Sequence, residues 1–456
     1  MPTAAATRTG MGRVKYRYYL LTLLLVILAL NTVDRLAIGL VLQNIKVDLH
    51  LSDTELGFLT GIAFAMFYSV VGIPIARWAD HGNRATIIWL TTAFWSVMVA
   101  LCGAVSTFVQ LLLVRVCVAV GEAGCIPPAH SLIAGYFNRL ERPRAVALYM
   151  LGPPLSGILG YFFAGWVNQY YGWRITFVVL GAPGLALAAL AWWTLREPRR
   201  ESRAAHVVKG TDLGADGNRG DGSNPARHPR LKEVCVDLWA NRTFRRLLAC
   251  FSVVSFFGYG IMQWQPAFLI RSYGLKTGEL GTWLSLIYGV GGLAGTYVGG
   301  ELATRQGANN ERAQLLAMAG VYAAFGLLSA WMYLTHSRYL AFGLMAIGAF
   351  GGAMTTGPIL ALIQTLVQPS MRATSIAIIY LCANLIGMGL GPLAAGILSD
   401  SLRPWFGDES LRYSLLSLCP GYLVAGWFLW RASGSVKRDL EAVQRFDLTT
   451  PVPGLS

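Results

Sequence analysis

Apolar runs of about twenty residues, almost free of charge, recur from Tyr18 to Trp430 and are separated by short polar or basic stretches. An α-helix rises about 1.5 Å per residue, so each run is long enough to cross about 30 Å of hydrocarbon. Backbone polar groups in lipid must be satisfied within the segment, which selects helices over irregular chain. The pattern predicts spans at 17–43, 54–79, 84–106, 108–136, 144–168, 172–195, 244–270, 278–304, 311–334, 338–366, 372–400 and 410–432. An even number of spans puts both termini on one face of the membrane. The chain reads as an all-α membrane protein whose length measures helix number rather than globular domains.

Composition agrees: 55% of residues are hydrophobic and 13% charged, against about 25% charged in soluble domains. The basic N-terminal stretch precedes an apolar run, as a signal peptide does. That run is long and lacks a small-residue cleavage site, so it is expected to be a retained first span. Of seven cysteines, Cys102, Cys117, Cys125, Cys250, Cys382 and Cys419 fall in apolar windows without CxxC spacing. They read as packing residues, and no metal or cofactor is expected.

The net charge of +14 suits either nucleic acid or a membrane protein with basic cytoplasmic loops, and its distribution decides between them. Twenty-eight Lys and Arg lie on the face of the termini, and seven on the other: Lys46, Arg174, Arg271, Lys276, Arg338, Arg403 and Arg412. This bias predicts cytoplasmic termini in a multi-pass cell-membrane protein, the inner membrane if the source is bacterial, and no nucleic-acid partner. On a cysteine-free background, Ala205→Cys should label from the cytoplasm and Gly407→Cys from outside. Labelling of both from one side would contradict twelve spans.

A polar, Gly-rich stretch lies midway, giving an N-tail at 1–16, a first bundle at 17–195, a flexible cytoplasmic linker at 196–243, a second bundle at 244–432 and a C-tail at 433–456. The halves share weak matches in the same order: ARWADHGNR (76–84) with GELATRQGA (300–308), Arg144-Ala145 with Arg372-Ala373, and GPPLSG (152–157) with GPLAAG (391–396). Such repeats predict two six-helix bundles with a central cavity.

With these residues in view, the sequence from about Tyr18 to Trp430 resembles the major facilitator superfamily. Residues 76–84 resemble its motif A, G-x-L-x-D-R-x-G-R, matching at Asp80 and Arg84 and departing at Ala76, Trp78, His81 and Asn83. NTVDRLAIGLVL (31–42), RVCVAVGEAG (115–124) and REPRR (196–200) together resemble the spinster branch. The resemblance implies a lipid exporter carrying sphingosine phosphate or lysophospholipids.

Four charges sit inside the first half: Asp34, Arg35, Arg115 and Glu122. Each costs about 2.5–3.5 kcal/mol at a bilayer centre on the insertion scale, so they must compensate one another. Arg115 and Glu122 are seven apart and share one face of span 4, whereas the adjacent Asp34 and Arg35 point about 100° apart. Two readings stand open: a static network locking span 1 to span 4, or a network facing a wet cavity and opened during transport. Burial favours a protonated carboxyl and a nearby arginine an ionised one, so Asp34 or Glu122 gains a proton when its arginine turns to an anionic substrate. Tyr259, Gln263 and Trp264 of span 7, with Tyr380 and Asn384 of span 11, are candidate cavity-lining residues. Asp80 is a candidate inner latch on the N-terminus of span 11 near Arg372, with Arg84 beside it in the gating motif. The proline pairs 127–128 and 153–154 are expected to bend spans 4 and 5.

Together these features point to a monomeric secondary transporter working by alternating access: proton-coupled export of an amphipathic anionic lipid, with membrane lipids and protons as partners. Proton-coupled uptake of a small organic anion is the alternative on the same fold. No Walker signature, HExxH or GxSxG elbow argues for an ATPase or a lipid enzyme.

Overall fold

The computed structural model describes residues 4–138, 140–197, 231–302, 310–367 and 371–441, and among them every regular element is a helix. Most of the 196–243 linker lies outside the described residues, as do the side chains of Asp80 and Arg372. Nine helical stretches among the described residues are long and apolar enough to cross a membrane. Two of them hold a pair of spans each. Arg144–Thr194 breaks at Gly172, where a φ of 79° admits glycine without strain. Thr374–Ser433 breaks around Gly407, whose φ is 56°. Span 8 joins the helices Thr277–Leu284 and Gly291–Leu302 through a π-helix at Ser285–Val290, which completes the twelve spans.

The proline pairs act differently from expectation. Span 4 stops at Glu122 and restarts as Ile126–Tyr136 with proline in its first turn, and Gly152–Thr194 likewise begins on proline. The missing N–H has no helical partner there in any case, so these prolines start helices rather than bend them.

By contacts the chain falls into two compact units, Met1–Arg35, Phe67–Ser156 and Tyr171–Arg227 in one, Leu36–Met66, Gly157–Tyr170 and His228–Ser456 in the other. The first holds a core in which Leu20, Leu24, Ile27 and Leu28 of span 1 meet Ile88, Leu132, Ile133, Tyr149 and Ala191. The second takes in segments of spans 1, 2 and 5 because they pack closely on spans 7, 8 and 11. A core in it brings Phe244, Leu247, Leu315, Tyr322, Ile359, Ile363 and Leu429 together. Large apolar side chains such as Leu113 (60% exposed), Tyr297 (74%) and Trp193 (78%) point outward, as suits surfaces solvated by lipid. Helix association in lipid depends on close packing, and small residues permit it. A Cβ on Gly61 would lie 2.4 Å from the carbonyl oxygen of Gly389, and one on Gly281 2.3 Å from that of Tyr161.

Candidate functional site

The first unit holds the charge quartet. Arg115 Nη1 donates to Asp34 Oδ2 at 2.5 Å, and Arg35 Nε donates to Glu122 Oε2 at 2.6 Å. Because Asp34 and Arg35 diverge on span 1, each takes its own partner on the shared face of span 4. The two pairs satisfy all four charges, as burial demands. Asp34, Arg115 and Glu122 are buried, whereas the Arg35 side chain is 25% exposed and lies 4.4 Å from the centroid of the Tyr68 ring. Asp34 Oδ1 and Glu122 Oε1 are buried without a hydrogen-bond partner among the described residues. Each carboxylate therefore keeps one oxygen at which a proton can sit without displacing the arginine.

Arg84, placed in the sequence reading at a gate, is buried and bonded to Glu197. Its backbone N–H donates to Glu197 Oε2 at 2.8 Å, its Nε to Oε1 at 3.1 Å, and its Nη1 to the carbonyl oxygen of Ser131 at 2.7 Å. The pair ties the start of span 3 to the end of span 6. Glu197 carries a role that only the REPRR motif hinted at. Removing one member of a buried pair strands the other at a cost of about 3–5 kcal/mol. Arg84→Ala and Glu197→Gln should therefore each lower thermal stability markedly, and the double variant should lose less than the two losses combined. Additive losses in melting experiments would argue against the pairing.

The second unit contains a cavity of about 470 Å³ walled by spans 7 to 12. Of the five candidate cavity-lining residues, Tyr259, Tyr380 and Asn384 line it and Gln263 and Trp264 do not. On a helix of 3.6 residues per turn, Tyr259, Met262 and Gln265 share the face that Gln263 and Trp264 leave. Trp264 is buried and donates Nε1 to the carbonyl oxygen of Pro392 at 2.8 Å, while Gln263 packs on Gly39. Gln265 takes the polar role on the wall. It accepts from the Tyr288 hydroxyl, and its Nε2 reaches Met332 Sδ at 3.4 Å. Two π-helices, at Ser285–Val290 and Ala383–Leu390, bring Tyr288 and Asn384 to the wall. Six tyrosines, three methionines, Phe251 and Phe325 contribute to the lining, and no charged residue is on it among the described residues. Such a cavity accepts an apolar chain and offers hydroxyl and amide groups to orient it.

A third cluster, missed in the sequence, joins the ends of spans 1, 2, 7 and 11 in the second unit. Asp53 is 1% exposed. It accepts from Lys46 Nζ at 2.5 Å, from Arg271 Nη1 and Nη2 at 2.8 and 2.7 Å, and from Ser399 Oγ at 2.6 Å. Arg271 Nε also donates to Gln43 Oε1 at 2.6 Å. Asp400 accepts from the backbone N–H groups of Asp53 and Thr54 at 3.1 and 2.7 Å, so a carboxylate from span 11 sits on the N-terminus of span 2. The sequence predicted the converse arrangement, Asp80 of span 2 on the N-terminus of span 11, at the other membrane face.

The chain matches the family model of the Major Facilitator Superfamily over residues 24–392. It is 32% identical over 412 residues to an MFS-type efflux pump of Mycolicibacterium smegmatis, covering 90% of this chain and 91% of that one. It is 26% identical to protein spinster homolog 1 of Xenopus tropicalis over 91% of this chain and 80% of that protein. Among solved structures, an inward-facing, unoccupied bacterial homolog of the human lysosomal transporter spinster superposes with a TM-score of 0.79 at 30% identity, covering 93% of this chain and 98% of that one. The chain is a multi-pass membrane protein of the major facilitator superfamily, similar within it to the spinster homologues.

Proposed function

We propose that this transporter works by alternating access and exports an amphipathic anion, a lysophospholipid or sphingosine-phosphate-like lipid, in exchange for protons. The crosswise quartet carries the reading: two buried carboxylates, each held by one arginine through one oxygen, form a net-neutral set that rearranges when a proton or an anion joins it. Arg35, the most exposed of the four, is the residue that meets the anionic group, and Glu122 carries the proton on the return step, so that anion and proton use the Arg35–Glu122 pair in turn. Asp34 and Arg115 form the second, deeper pair. The uncharged cavity of the second unit supports an amphipathic cargo, since its walls suit a hydrocarbon chain and offer nothing to balance a small polyanion. The efflux-pump relative supports export, and cytoplasmic termini follow from the charge bias.

Proteoliposomes offered a panel of lysophosphatidic acid, sphingosine phosphate, lysophosphatidylcholine and short organic acids test the substrate class. Flux of the anionic lysolipids above the others is expected. Flux of the organic acids alone would replace this reading with uptake of a small anion.

A further inference from the structure

Beside Asp53 lies a second cavity of about 560 Å³, wholly within the second unit and distinct from the apolar one. Its lining includes Lys46, Arg271, Arg403 and His50 against Asp53 and Asp408. By the charge bias this face is outside the cell. Lys46 and Arg271 both spend their charge on Asp53. Arg403 and His50 are exposed, and neither has a carboxylate partner among the described residues. Asp408 is exposed too and is the one other acidic group on the described lining.

We infer that this vestibule is an anion-binding station in which Lys46 and Arg271 exchange Asp53 for a phosphate-type anion, with Arg403 as its exposed outer contact. The two cations exceed the charge of the buried Asp53 by one, which attracts an anion, and the planar Arg271 fork binds a phosphate-type group through two parallel hydrogen bonds. The exchange also couples binding to opening. The carboxylate that gives up Arg271 belongs to the start of span 2, where Asp400 of span 11 is attached, so an anion that captures Arg271 frees span 2 from span 7. The inference deepens the export reading, because a headgroup leaving the protein would stop here, although the site itself requires only an anion.

Inorganic phosphate titrated into the purified full chain, followed by broadening of its phosphorus NMR line, tests the station without any transport step. Binding is expected. Arg403→Ala should weaken it about fivefold, the size of one partly exposed charge pair, and Asp53→Asn, which releases Lys46 and Arg271, should strengthen it on the order of tenfold. Competition separates the sources of the anion. Displacement of phosphate by lysophosphatidic acid well below the concentration of glycerol phosphate needed identifies a lipid headgroup, whereas equal potency identifies a soluble phosphate; both support the station. Absence of phosphate binding, or binding that neither substitution alters, overturns it. A wild-type chain that binds phosphate here but moves no lysolipid would leave the station intact and remove the export reading alone.

Discussion

Glu122→Gln is expected to abolish accumulation driven by a pH gradient while leaving substrate binding in place. One pH unit is worth about 1.4 kcal/mol per proton, or about a tenfold concentration ratio for one-to-one exchange at zero membrane potential. Wild-type vesicles with an acidic lumen should reach that ratio for an anionic lysolipid, and the variant should stop at equal concentrations. Binding survives because a neutral Gln leaves the Arg35 charge free to attract an anion. Arg35→Ala should do the reverse, weakening binding directly. A purely structural network predicts a different pattern, in which each substitution lowers the melting temperature by stranding a buried partner at about 3–5 kcal/mol. Flux, binding and melting measured on the same preparations separate the two.

The second large effect is expected from two glycines. Gly61→Ala and Gly281→Ala each put a methyl group within 2.4 Å of a carbonyl oxygen, on Gly389 and Tyr161 respectively, and backbone cannot give way as a flexible side chain does. Overpacking of this kind costs about 1–3 kcal/mol, which shifts a two-state equilibrium by about 5- to 150-fold. The packed arrangement of spans 2 and 5 on spans 11 and 8 should lose population to an outwardly open one. A cysteine at Leu51, which is 8% exposed on the vestibule lining, should then react faster with a polar thiol reagent in both variants. Unchanged reaction rates would show that these contacts do not move during the cycle.

How much of this was legible in the sequence follows from which forces act over short range. Apolar windows report the spans directly, since lipid enforces helix and length together. The quartet was legible too, because an intramembrane charge stands out against its surroundings. Its pairing follows from charge sign once spans 1 and 4 meet, Asp34 with Arg115 and Arg35 with Glu122; that the two spans meet at this depth is what the sequence did not give. The Asp53 cluster escaped because Lys46, Asp53, Arg271 and Asp400 sit at window ends, where a charge looks like ordinary loop solvation. Glu197 escaped for the same reason. The cavity was misread at Gln263 and Trp264 because a run of polar and aromatic residues fixes no helix face by itself. Tyr288 and Asn384 depend further on π-helices, which shift the register that simple 3.6-residue counting assumes.

The central claim, exchange of an amphipathic anion for protons through Glu122 and Asp34, is tested most directly by a pH dye sealed inside proteoliposomes to which labelled lysophosphatidic acid is added. The account predicts that the lumen becomes alkaline as label enters, and that Glu122→Gln removes the pH change. Entry of label with no change in lumen pH in the wild-type chain would contradict it.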